Sequence, residues 1–234
     1  MCPKKGWRVL ILLVVFGLCL TAGAFGFDLG IGVKAGATFP WYSGSGYQDW
    51  RAFWGSFEPA LKIGFTGGAF ITIGLFDFLA IQPEVFFSQL GSRAGDGYYS
   101  LNDRWNGFDI QALLKARFHT RRRAIFDLFA GPNLQIKTGT ADFEIKDYYG
   151  NVYLYGWLND SVLREPVLGL VFGLGMEFPM GSYFFTVDAR YSLGLWSRLT
   201  DSSGFAPWYQ NSVQVMFGVG LVLVGKQRTL SRMR

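Results

Sequence analysis

Leu79-Ala-Ile-Gln-Pro-Glu-Val-Phe-Phe-Ser-Gln-Leu90 decides the fold. Its odd positions Leu79, Ile81, Pro83, Val85 and Phe87 are apolar, while its even ones include Gln82, Glu84 and Ser88. A period of two places one set on each face of a β-strand. A tilted strand needs about 9–11 residues to cross a bilayer, and this stretch is long enough.

The two-faced pattern recurs at 27–38, 61–74, 108–119, 126–137, 168–178, 183–194 and 213–223. The expectation is an all-β, eight-stranded, antiparallel, up-and-down transmembrane β-barrel. The connections agree. Those at 76–78, 120–123 and 179–182 are short; those at 39–60, 91–107, 138–166 and 197–210 are long and rich in Gly, Ser, Asp, Asn and rings. Outer-membrane barrels keep their short turns periplasmic, and an even strand count returns both termini to that side. Within the third long connection, Asp142–Trp157 alternates around Tyr149-Gly-Asn151. It reads as a hairpin above the membrane, which could take a partner by strand addition.

A soluble barrel of the lipocalin or streptavidin kind would turn the apolar face inward. Two features argue against it. The polar face holds Gly30, Gly32, Gly64, Gly68, Gly173, Gly175, Gly218 and Gly220, which suits a narrow lumen better than a solvated surface. The apolar face ends at the short-turn side in Phe118, Phe126, Phe178, Tyr183 and Phe185, the place of an interfacial girdle. Pro83 and Pro132 lie on the lipid-facing parity. Each predicts a bulge or a skipped ladder bond, since proline has no N–H to give.

The ends carry the targeting. Lys4, Lys5 and Arg8 precede the apolar run 9–20, and Ala22-Gly23-Ala24 follows, so 1–24 reads as a secretory signal peptide cleaved after Ala24. A membrane anchor would need a longer run. Leu18 before Cys19 argues against lipidation, and Cys2 and Cys19 both precede the cut, so the mature chain has no thiol. The formal +5 falls to +2 without Lys4, Lys5 and Arg8, and to −2 without Lys226, Arg228, Arg232 and Arg234. The barrel at 25–225 is therefore near neutral, which excludes a nucleic-acid face; 226–234 is a basic periplasmic tail.

The chain resembles the PorT-like outer-membrane β-barrel family, of the eight-stranded OmpA/OmpX type. The matching residues are Gly32-Val-Lys-Ala-Gly36, Gly64-Phe-Thr-Gly-Gly-Ala-Phe70, Ile81-Gln-Pro-Glu-Val-Phe-Phe-Ser-Gln-Leu-Gly91, Ala130-Gly-Pro132 and Asp188-Ala-Arg-Tyr-Ser-Leu-Gly194. The resemblance implies a barrel rather than an activity, with Pro83 a family feature. The chain departs from it at Ala112, where the family tends to carry proline, and after Leu223-Val224, where a basic tail replaces a final aromatic residue.

The lumen parity collects both signs of charge: Lys34, Lys62, Lys115, Arg117 and Arg190 against Glu84, Asp109, Asp127, Glu177 and Asp188. Eight strands leave room for side chains alone, and buried charges must pair, so these predict a plug. The alternative is a narrow porin-like channel for small solutes. The lone His119 abuts a short turn with no serine beside it, and no catalytic, metal or cofactor motif occurs. In the first long connection Trp41, Tyr42, Trp50 and Trp54 exceed what an aromatic belt requires and could form an exposed recognition patch. The function expected is a non-enzymatic, monomeric outer-membrane barrel without cofactor. Its partners would be membrane lipid, the assembly machinery and an envelope or extracellular ligand reached through the loops.

Overall fold

The computed structural model describes residues 28–53, 57–120, 124–158, 165–199 and 206–224. The expected signal segment, the basic tail and Trp54 lie outside the described residues.

The strands are β1 (Asp28–Ser43), β2 (Glu58–Ala60), β3 (Gly64–Phe76), β4 (Leu79–Gly95), β5 (Tyr99–His119), β6 (Ile125–Asp147), β7 (Val152–Leu158), β8 (Val167–Met180), β9 (Tyr183–Gly194) and β10 (Tyr209–Val224). Eight of them close a ring in the order β1, β3, β4, β5, β6, β8, β9, β10, with every neighbour antiparallel. The closing seam pairs β1 with β10 from Leu29↔Val224 to Ser43↔Tyr209. Closure leaves no backbone edge within the ring, which bilayer hydrocarbon requires.

Alternation decides the faces. Val33, Phe65, Leu114, Phe172 and Phe217 stay exposed on the outside, while Lys34, Glu84, Lys115 and Arg190 are buried within. Water would reward the opposite arrangement; a lipid band accounts for this one.

Both prolines interrupt a ladder without shifting it. β3 and β4 pair at Phe70↔Glu84 and next at Ile73↔Ile81, past Pro83. β5 and β6 pair at Gln111↔Asn133 and next at Leu114↔Ala130, past Pro132. The register is unchanged, so each proline skips a bond and makes no bulge. On its other flank each stays paired, to Ala112 and Leu170 respectively.

The expected loop at 91–107 is a hairpin instead: β4 runs on to Gly95 and β5 begins at Tyr99. β2 joins the upper end of β4, and β7 joins β6 through the turn at 148–151. The five-stranded extension β2-β4-β5-β6-β7 stands as a wall on one side of the long-loop end. Phe57, Ala94, Leu101, Ile145 and Phe143 form its apolar inner layer. A nine-residue helix, α1 (Ser45–Phe53), occupies the first long connection. It follows Gly44, whose φ of 111° favours glycine, and Arg51 in its last turn suits the helix dipole.

Candidate functional site

Inward-facing residues of the ring build two charge clusters. In the first, Lys34 on β1 lies 3.1 Å from Glu84 on β4 and 2.5 Å from Asp188 on β9. Arg190, two residues beyond Asp188 and so on the same face, reaches Glu84 at 2.5 Å and Asp188 at 2.8 Å. Two cations and two carboxylates cancel.

The second cluster joins β5, β6 and β8. Lys115 lies 2.8 Å from Asp127 and 2.6 Å from Glu177, and Arg117 lies 2.7 Å from Glu177. It also cancels. Gln82 links the two clusters: its amide donates to Glu84 at 2.6 Å, and its carbonyl oxygen accepts from Lys115 at 3.0 Å. Gln111 accepts from Arg190 at 2.9 Å. A charge at this depth is tolerated only when paired and hydrogen-bonded. The pairing crosses the lumen from wall to wall.

Rings fill the space between. The cations of Lys34 and Arg190 lie 4.5 Å from the Phe70 centroid and 5.4 and 5.1 Å from those of Phe86 and Phe129. Phe70 and Phe184 meet edge to face at 6.0 Å. A Cβ at Gly32 would come within 2.5 Å of Phe70, and one at Gly30 within 3.2 Å of Phe184. These lumen glycines therefore seat two rings rather than simply narrowing the barrel. A network chosen by charge alone leaves out Gln82 and Gln111, although both stand on the polar face, and the inward phenylalanines. Parity itself pointed to them, since Phe70, Phe86 and Phe184 share the inward phase of Glu84 or Thr186.

Two residues of the expected network stand apart. Asp109 is buried on the lumen wall and accepts from the Asn133 amide at 3.3 Å rather than joining an ion pair. Lys62 precedes β3 and sits at the long-loop rim, where its ammonium donates to the Asp103 backbone carbonyl. Glycine at 64 starts the strand later than the alternation suggested.

The recognition patch is also revised. Tyr42 belongs to β1 and is buried, its ring meeting Tyr47 at 5.4 Å and Trp208 at 5.7 Å. Trp41, on the opposite parity, packs against Tyr191 at 5.8 Å. Trp50 falls within α1, and its side chain is outside the described set, as is all of Trp54. No exposed patch forms from Trp41 and Tyr42, because inward parity draws Tyr42 into the mouth of the barrel.

That mouth is capped. Leu90, Trp105, Ala141 and Leu199 pack together with Trp208 against them. The Arg198 guanidinium stacks 3.4 Å from the Trp105 ring centroid, and Tyr47 on α1 hydrogen-bonds Ser92 on β4 at 3.1 Å. Burial pushes the Lys62 ammonium down from 10.5 to about 8, against the pull of Asp103. A folded state that binds fewer protons gains stability as pH climbs from about 8 toward the ordinary lysine value. Wild type should therefore gain on Lys62→Met in urea unfolding between about pH 8 and 10. A constant difference would contradict the assignment.

Among the described residues, no three His, Cys, Asp or Glu side chains could hold a metal. His119 is exposed at the short-turn end.

The sequence profile described as "Outer membrane protein beta-barrel domain" matches residues 24–199. Among solved structures, the chain is similar to Neisserial surface protein A, with 13% identity over 82% of this chain and 96% of that one, at a TM-score of 0.46. It is similar to Ail, the attachment invasion locus protein of Yersinia pestis, at 14%, 82%, 97% and 0.38 in the same order. It is likewise similar to OprG from Pseudomonas aeruginosa, at 10%, 84%, 96% and 0.40. No curated protein matches it in sequence.

Proposed function

The chain belongs to the outer membrane protein beta-barrel domain family, and from that premise we propose a non-enzymatic, monomeric protein of a bacterial outer membrane. Its lumen is plugged by its own side chains, and its long-loop end displays a rigid wall for binding or for envelope integrity. One observation carries the plug: the side chains of Lys34, Glu84 and Arg190 are 0% exposed. A solute path of useful width would leave such groups wet.

The remaining features fit. The ring closes within one chain, so it needs no second copy. Residues 1–24 act as the export signal, and outward apolar residues meet lipid. The motif residues around Pro83 support a reading within the PorT-like branch.

Display can be tested by labelling, because both cysteines precede Ala24 and the mature chain is free of thiols. Tyr149→Cys, in the exposed β6–β7 turn, should react with a membrane-impermeant maleimide on intact cells. Asp77→Cys, in the short β3–β4 turn, should react only after the outer membrane is permeabilised. The opposite pattern would invert the orientation and remove the display reading.

A further inference from the structure

The crest of the wall carries rings that packing does not explain. Tyr98 is 76% exposed in the β4–β5 turn, and Tyr148 and Tyr149 are 77% and 85% exposed in the β6–β7 turn. The register Tyr99↔Asp147 sets the two turns side by side. Buried apolar anchors hold the wall beneath them, yet these rings point into solvent.

Both turns are held in shape. Asp96 accepts from the amides of Tyr98 and Tyr99 at 2.9 and 2.7 Å. Asp147 accepts from the Asn151 amide at 2.8 Å and from its side chain at 3.0 Å. Tyr148 and Tyr149 meet edge to face at 5.6 Å. Turns fixed in this way hold the ring-bearing backbone in place, and tyrosine, with few torsions of its own, then offers contact area at small entropic cost.

Charge selects the partner. The amides of Tyr99 and Tyr98 hold the Asp96 carboxyl below its ordinary range, and Asn151 does the same for Asp147. Both turns then carry negative charge at neutral pH. Neither turn, 96–99 or 147–151, contains a cation, and the neighbouring Lys146 is engaged by Glu144 at 3.1 Å. Ring faces and carboxylates together attract guanidinium and ammonium groups and repel polyanions.

We propose that this crest docks a basic segment of another protein, with Arg and Lys side chains lying against Tyr98, Tyr148 and Tyr149 and pairing with Asp96 and Asp147. The proposal rests on the display reading but is tested apart from it. The maleimide experiment reports orientation in cells, whereas binding is measured on the purified mature chain refolded in neutral detergent.

The probe is a fluorescent hexa-arginine peptide, followed by anisotropy at physiological salt. Saturable binding is expected. It should weaken about tenfold in Tyr98→Ser/Tyr148→Ser/Tyr149→Ser, the loss of three exposed cation–π contacts. Asp96→Asn/Asp147→Asn, which keeps an acceptor for the backbone amides of both turns and gives up only the bond from the Asn151 side chain, should weaken it separately. The heat-dependent gel shift checks that each variant keeps its barrel. Equal binding by the serine variant would overturn the proposal, since the attraction would then come from charge elsewhere. Binding of maltoheptaose in place of the peptide would also overturn it, in favour of a neutral glycan.

Discussion

Glu84→Ala is expected to destabilise the folded barrel by about 3–5 kcal/mol, the range seen when one partner of a buried ion pair is removed. Glu84 faces Lys34 and Arg190 and accepts from Gln82, and all three contacts lie away from solvent. Its removal leaves Asp188 alone to balance two buried cations. The loss is therefore one of uncompensated charge more than of contact area. Adding Arg190→Ala should return part of it, because the double variant restores neutrality with Lys34 and Asp188. A double-mutant cycle by urea unfolding in detergent isolates this coupling. If Glu84→Ala and Arg190→Ala each leave the midpoint unchanged, the lumen is hydrated and the plug is wrong.

Gly36→Val should be the most damaging substitution of a single glycine, because it strikes the seam that closes the ring. A Cβ at Gly36 would overlap the Val215 backbone carbonyl and lie 2.7 Å from the Met216 Cα. Neither atom belongs to a flexible side chain, so β1 and β10 must part. Overpacking a well-filled site costs about 1–3 kcal/mol, and a seam that must also keep its hydrogen bonds sits at the upper end. Ala35→Val is the control, one residue earlier on the exposed lipid face. The heat-dependent gel shift should survive in Ala35→Val and weaken in Gly36→Val. Equal behaviour would show that the seam does not depend on this close approach.

The ring was legible in the sequence because a strand with one lipid face and one lumen face has to alternate. Leu79–Leu90 shows this most plainly, and the skipped bonds beside Pro83 and Pro132 followed from a missing donor. The two ion clusters were legible as parity and sign, but not as partners. Lys34 meets Asp188 across 154 positions of sequence, and only ring closure brings them together. The wall was half legible. Asp142–Trp157 alternated and forms a hairpin, whereas 91–107 did not read as strand, because its Gly, Ser, Asp and Asn residues lack the outward lipid face that enforces the pattern. Tyr42 misled for a related reason: a ring near a loop can belong to the mouth's core as readily as to its surface.

Planar-bilayer conductance of the refolded mature chain tests the closed lumen most directly. A lumen filled by its own side chains gives no steady channels from a preparation whose gel shift shows folded barrel. Reproducible, long-lived single-channel steps from that same preparation would contradict it, and would make solute passage rather than display the function to explain.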